Sequence, residues 1–228
     1  DWNVSSDQFF TRWRDKIHTV EPFDIPVDWD HFICVDYGHN VPYAALWFAR
    51  QPNTQTAFVY REQYGKGVDI DEQVFRAWQA TTETGVKPRA IVLDPSMFAK
   101  IGIGKTERLR PFADHWRDRF PRVIAGDNSR IPGWRLMREM INWTEGPKGE
   151  TLLPPRLFIF RTCPNTIRTL PLLIVDKNNL EDVNTKGEDH CADALRYGLR
   201  HAFEGGSRPG QGGNIYITDK GIVVKGRK

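Results

Sequence analysis

The sequence predicts an α/β domain: a mixed β-sheet, part antiparallel meander and part parallel strands, flanked by helices. Three observations carry that expectation. Two short apolar runs, His31-Phe32-Ile33-Cys34-Val35 and Ala90-Ile91-Val92-Leu93, have the length and composition of buried strands, and each ends in an aspartate, Asp36 or Asp94. Residues 43–50 and 56–64 read as two more strands around the turn Gln51-Pro52-Asn53-Thr54, so the first three strands make a meander. Helical periodicity then alternates with strand-like runs, and the whole order is β-β-β-α-β-α-β-α.

At the N-terminus, Phe9, Phe10, Trp13 and Ile17 recur at helical spacing behind the capping candidates Ser5-Ser6-Asp7, which predicts a helix there. Pro22 and Pro26 make residues 21–28 an extended linker. Residues 1–28 therefore read as an arm before the core, 29–203 as the globular domain, and 204–228 as a Gly-rich linker with a basic tail that can pair as a loose hairpin. Within the domain, residues 69–83 carry the apolar stripe Ile70, Val74, Ala77 and Trp78, and Gly85 stops that helix. After Asp94 a long loop through Lys100 and Lys105 leads to a helix expected over 107–119. A strand at 122–125 follows, then a helix over 131–143 with Trp134, Met137 and Ile141 on one side. Residues 144–155 read as a hairpin with Lys148 at its tip, 157–160 as a strand, 166–173 as a short helix and 176–187 as polar loop. The last helix starts near Glu188 and runs to about residue 203.

Composition narrows the function classes. Of 228 residues, 27% are charged and 39% hydrophobic, the balance of an ordinary globular protein. A net charge of +3 provides no global basic field, so any nucleic-acid surface must be local. Three scattered cysteines, Cys34, Cys163 and Cys191, form no zinc-like pair and fit a reducing compartment better than a disulfide framework. With no apolar run of membrane-spanning length and no leader, the expected location is cytoplasmic. The start at Asp1 without methionine reads as a fragment of a longer chain.

The chemistry concentrates near the last helix. There Asp189, His190, Asp193 and Tyr197 share one helical face, while Ala192, Leu195 and Leu199 share the other and can pack on a sheet. Alone, an acidic first turn only complements the helix dipole. Asp36 and Asp94 alone are good turn openers, in Asp36-Tyr37-Gly38 and Asp94-Pro95-Ser96. Together they suggest more, because open α/β sheets build their sites beyond the C-terminal strand ends. If the two strands are neighbours, their carboxylates lie side by side and the helix adds Asp193. Such a cluster with no lysine or arginine between its members requires a cation. Oxygen-only ligation selects Mg²⁺ or Mn²⁺ over zinc. Two such ions about 3.5–4 Å apart suit phosphodiester cleavage.

The segments Cys34-Val35-Asp36-Tyr37-Gly38, Val92-Leu93-Asp94-Pro95-Ser96 and Glu188-Asp189-His190-Cys191-Ala192-Asp193-Ala194-Leu195-Arg196-Tyr197 resemble the nuclease domain of tailed-phage terminase large subunits. The likeness spans residues 29–202, and its most specific part is Asp-His-x-x-Asp-Ala-Leu-Arg-Tyr. It implies a ribonuclease H-like fold and a two-metal (Mg²⁺ or Mn²⁺) endonuclease that cuts concatemeric viral DNA during genome packaging. Asp36, Asp94 and Asp193 then match the catalytic, metal-holding triad, and Asp189 and His190 match positions at or near the metal. The implied partners are double-stranded DNA, an N-terminal packaging ATPase domain of the full-length protein, portal protein and the small terminase subunit. The implied workplace is a motor docked on the procapsid in the host cytoplasm. Lys100, Lys105, Arg130, Arg135, Arg138, Lys148 and Lys186 are the candidates for holding the DNA backbone, a mode that reads no sequence and weakens with salt.

Other readings compete. A resolvase- or transposase-like nuclease would use the same acids, and a purely structural DNA-binding domain would use them as turn residues. Ala99-Lys100-Ile101-Gly102-Ile103-Gly104-Lys105-Thr106 fits a permissive phosphate-loop pattern with alanine in place of the first glycine. A phosphate loop must leave a strand directly and open a helix, whereas Pro95-Ser96-Met97-Phe98 stands between Asp94 and this segment.

Overall fold

A computed structural model of the chain describes residues 7–99, 101–103, 107–204, 214–218 and 221–225. Its central sheet has seven strands: β1 (Thr19–Val20), β2 (Asp30–Asp36), β3 (Tyr43–Gln51), β4 (Thr56–Gly65), β5 (Ala90–Leu93), β6 (Val123–Ala125) and β7 (Leu157–Phe160). Their spatial order is β1-β7-β4-β3-β2-β5-β6. The expected meander is present, with β2 antiparallel to β3 and β3 antiparallel to β4. On either side of it the pairing is parallel: β5 beside β2, β6 beside β5, β7 beside β4 and β1 beside β7.

Among the described residues, and apart from a single turn at Asp15–His18, five helices flank the sheet: α1 (Ile70–Thr84), α2 (Phe112–Arg117), α3 (Arg130–Ile141), α4 (Pro164–Thr169) and α5 (His190–Glu204). The strand period of two sends Ile33 and Val35 to one face and Phe32 and Cys34 to the other. The first pair packs with Val74 and Ala77 of α1 and Ala113 and Trp116 of α2. The second packs with Trp134 and Met137 of α3 and Ala192, Leu195 and Leu199 of α5. Burial on both faces is why β2 reads as a continuous apolar run rather than an alternating one. Gly85, at φ +66°, ends α1 in the left-handed conformation that glycine adopts without strain. Gly198 lets α5 lie close on the sheet, since a Cβ there would sit 2.7 Å from both Cys34 Cβ and Phe48 Cε1.

Two elements differ from expectation. The N-terminal helix is absent: residues 7–14 form turns and a bridge from Gln8 to Ile174, and only Asp15–His18 is helical. The spacing of Phe9, Phe10 and Trp13 reflects burial in the core, where the two phenylalanine rings meet Trp134 edge-on. With β1 in the sheet as well, residues 7–20 are integrated with the core. The expected helix over 107–119 splits into a strand, Glu107–Leu109, paired with Ile101–Ile103, and α2, because Pro111 cannot continue a helix from before it. The hairpin of Thr144–Glu145 with Thr151–Leu153 forms as read, and so does the antiparallel pairing of Asn214–Thr218 with Gly221–Lys225. Residues 1–6, with the capping candidates Ser5 and Ser6, and the Gly-rich stretch 205–213 lie outside the described residues. All three cysteines are buried and free. Among the described residues no helix is long and apolar enough to cross a membrane.

Candidate active site

β2 and β5 are parallel neighbours with Val35 opposite Leu93, so both chains leave the sheet side by side at Asp36 and Asp94. The Asp94 N–H donates to the Val35 carbonyl at 2.9 Å, which extends the pairing to the aspartate itself. Asp94 Oδ1 accepts the Ser96 N–H at 2.8 Å and starts the 3₁₀ turn Pro95–Phe98, so its turn-opening role is real and coexists with its place at the site. Beyond Asp36 the loop closes on itself. A Cβ at Gly38 would lie 2.2 Å from the Pro42 carbonyl oxygen, and buried Gln73 of α1 donates to the Gly38 and Val68 carbonyls at 2.9 and 2.7 Å. Tyr37 stacks on Phe112 with ring centres 4.5 Å apart.

α5 supplies the rest. His190 Nδ1 is hydrogen-bonded to Asp36 Oδ2 at 2.9 Å, and the Asp193 N–H donates to the Asp189 carbonyl at 2.8 Å in the first helical turn. Asp36, Asp189 and Asp193 are all buried. Burial drives the Asp36 carboxyl up to about 7; the His190 hydrogen bond works against that rise, and the fields of Asp193 and Asp94 add to it. Burial also raises Asp189, with Asp193 contributing. His190 is raised by its bond to Asp36, against the effect of its own burial. The acids of the two strands and the helix therefore feel one another, as strand adjacency required.

The expectation that no arginine stands among them is corrected. Arg196 Nε donates to Asp193 Oδ1 at 2.9 Å, and Arg130 Nη1 reaches Asp193 Oδ2 at 3.4 Å. Arg130 also donates from Nε to Asp182 Oδ1 and Oδ2 at 2.9 and 3.2 Å. Arg196 lies one helical turn from Asp193, a spacing that the sequence does display. Arg130 and Asp182 come from distant segments that carry no shared motif.

Among the described residues no three His, Cys, Asp or Glu side chains converge tightly enough to hold one ion as they stand. The donor chemistry nonetheless suits a hard divalent cation: carboxylate oxygens with a common field, one of them driven toward neutrality by burial and its acidic neighbours. Asp193 is the member turned toward guanidinium groups instead.

The remaining basic candidates are dispersed. Arg130 is directed inward onto acids, and Arg135 pairs with Glu181 on the surface. Arg138 lies over the Phe9 ring at 3.9 Å. Lys148 and Lys186 are exposed, at the hairpin tip and in the loop before α5. Lys100 and Lys105 lie outside the described residues. The phosphate-loop reading loses its helix, because the segment after it, Glu107–Leu109, is a strand.

No protein-family model and no curated relative matches the sequence. Solved structures do match. The nuclease domain of the phage P22 large terminase superposes with a TM-score of 0.64 at 18% identity, covering 88% of this chain and 95% of that one. The large terminase of a thermophilic bacteriophage, in complex with ATP-γ-S, gives 0.62 at 16% identity over 88% of this chain, which spans 46% of that longer protein. The large terminase nuclease domain of bacteriophage SPP1, with bound Mn, gives 0.57 at 15% identity, covering 81% of this chain and 96% of that one. The chain thus has the fold of the large-terminase nuclease domains, the ribonuclease H-like mixed sheet.

Proposed function

We propose that this chain is a divalent-metal-dependent DNA endonuclease domain that hydrolyses phosphodiester bonds and serves viral genome packaging. The observation that supports the reading is the side-by-side exit of Asp36 and Asp94 at one end of the sheet, with Asp193 nearby. They arrive there from two adjacent parallel strands and a facing helix, close enough for Asp193 and Asp94 to raise the Asp36 carboxyl. In this reading Asp36, Asp94 and Asp193 hold Mg²⁺ or Mn²⁺, with Asp189 beside them. Held there, such an ion would supply the positive charge needed to activate a water and to stabilise the leaving oxygen of a phosphodiester.

The chain's own residues do the arranging. Backbone pairing of β2 with β5 sets the spacing of two acids, and the first turn of α5 carries the third. His190 fixes the Asp36 carboxylate through its 2.9 Å bond to Oδ2. The tight loop at Gly38, tied by Gln73, keeps that strand end from fraying. DNA is held through its phosphates by exposed cations such as Lys148 and Lys186, with Lys100 and Lys105 in the segment after Asp94. A packaging ATPase domain in the full-length protein, portal protein and a small terminase subunit are the proposed partners, on a motor in the host cytoplasm. The length of the ATP-γ-S-bound terminase, about twice what this chain spans, supports an additional domain.

Nicking of supercoiled plasmid with Mn²⁺ or Mg²⁺ and with EDTA tests the proposal. Cleavage that needs the ion and disappears in Asp193→Ala is expected. Cleavage that persists in EDTA or in Asp36→Ala would overturn it.

A further inference from the structure

We infer that Arg130 is a displaceable counter-ion: it occupies Asp193 while the acidic site lacks a divalent cation, and withdraws onto Asp182 when one binds. The inference rests on the metal-dependent reading above and concerns how that site is guarded.

Two guanidinium groups meet Asp193, and they differ in their freedom to leave. Arg196 is buried, and its side chain runs through a gap that only glycine leaves open: a Cβ on Gly133 of α3 would lie 2.3 Å from Arg196 Cγ. Its guanidinium lies 5.2 Å from the Trp134 ring centre and 4.4 Å from that of Tyr197. Among the described residues Asp193 is its one carboxylate partner, and its Nη2 has no hydrogen-bond partner at all. Moving it would strand a buried charge, so it stays.

Arg130 is a quarter exposed and already has a second seat. Its Nε is bonded to both oxygens of Asp182 at 2.9 and 3.2 Å, while its Nη1 only just reaches Asp193 Oδ2 at 3.4 Å. Asp182 is itself held in place, accepting from Trp134 Nε1 at 2.7 Å and from the Val183 N–H at 2.8 Å. A small swing of Nη1 therefore frees Asp193 Oδ2 and leaves the arginine bonded and stacked on Trp134, 5.3 Å from its ring centre. Without such a cation, three acids sharing this end of the sheet repel one another. With it, the repulsion is offset until a stronger cation competes for the same oxygen.

The test is a Mn²⁺ titration of the whole chain by calorimetry, together with a crystal structure of the Mn²⁺-loaded protein. Arg130→Gln removes the competitor and should tighten Mn²⁺ binding by about fivefold. Asp182→Asn removes the second seat and should weaken it, and this variant decides the matter if Arg130→Gln does not fold. In the loaded crystal, Arg130 should contact Asp182 and no longer Asp193. Arg130 remaining on Asp193 beside a bound ion would overturn the inference. So would unchanged affinity in both variants, and if Asp36→Ala then still abolishes binding, the metal-dependent reading stands. Absence of Mn²⁺ binding in every variant would overturn both.

Discussion

The two ends of β2 carry the same residue type in opposite circumstances. Asp30, at the start of the strand, is 1% exposed and paired with two arginines, Arg50 from β3 and Arg89 from the approach to β5. Arg50 also donates to the Ala202 carbonyl near the C-terminus of α5, so one guanidinium ties two strands and a helix end together. Asp36, at the other end, is similarly buried but meets a histidine and the fields of two more aspartates. The histidines follow suit. Burial lowers His31, next to Asp30, whereas the bond to Asp36 raises His190. One end of the strand is compensated and structural. The other sets Asp36 among acids whose fields raise its carboxyl, a repulsion that the proposed cation would offset, and groups tuned for function give up stability.

The largest test of that contrast is activity. Asp36→Ala and Asp94→Ala should each lower metal-dependent plasmid cleavage by at least about a hundredfold, while thermal melts in EDTA stay close to the wild type. A collapse of the fold in Asp36→Ala would make the two ends alike and break the comparison. Next comes Asp30→Ala, which strands Arg50 and should cost about 3–5 kcal/mol in chemical denaturation, with cleavage by the remaining folded protein unchanged. Gly133→Ala pushes a Cβ into Arg196, the fixed cation of the acidic end, and should cost about 1–3 kcal/mol by the same measurement.

The smallest effect concerns His31. Burial holds its folded-state pKa below the ordinary value near 6.5. The unfolded chain therefore takes up a proton first as pH falls, and stability is lost below about 6.5 until the folded pKa is passed. Denaturation midpoints measured from pH 7 to pH 5 should fall less steeply in His31→Gln than in the wild type. An NMR titration should place the His31 imidazole below 6.5; a value above it would count against the compensated end.

Much of this is legible in the chain itself. The apolar runs of β2 and β5 stand out because strands covered on both faces leave no polar alternation, and their terminal aspartates mark where a site could form. The double face of α5 is readable from helical period, although the structure buries the Asp193 side as well, under α3. Phe9, Phe10 and Trp13 mislead, since three aromatics near helical spacing look the same whether a helix or an irregular segment buries them. Arg196 was within reach, one turn from Asp193. The partnership of Arg130 with Asp182 was not, because 52 residues separate them and neither belongs to a motif.

What the sequence determined by itself is local: strand and helix periods, the stop at Gly85, and the acidic residues at the ends of elements. What only the tertiary structure decided is which charges meet. The parallel pairing of β2 with β5 made neighbours of Asp36 and Asp94, and the packing of α3 on α5 brought Arg130 to Asp193. Charge compensation depends on separations of a few ångströms between residues remote in the chain, and no periodicity encodes those distances.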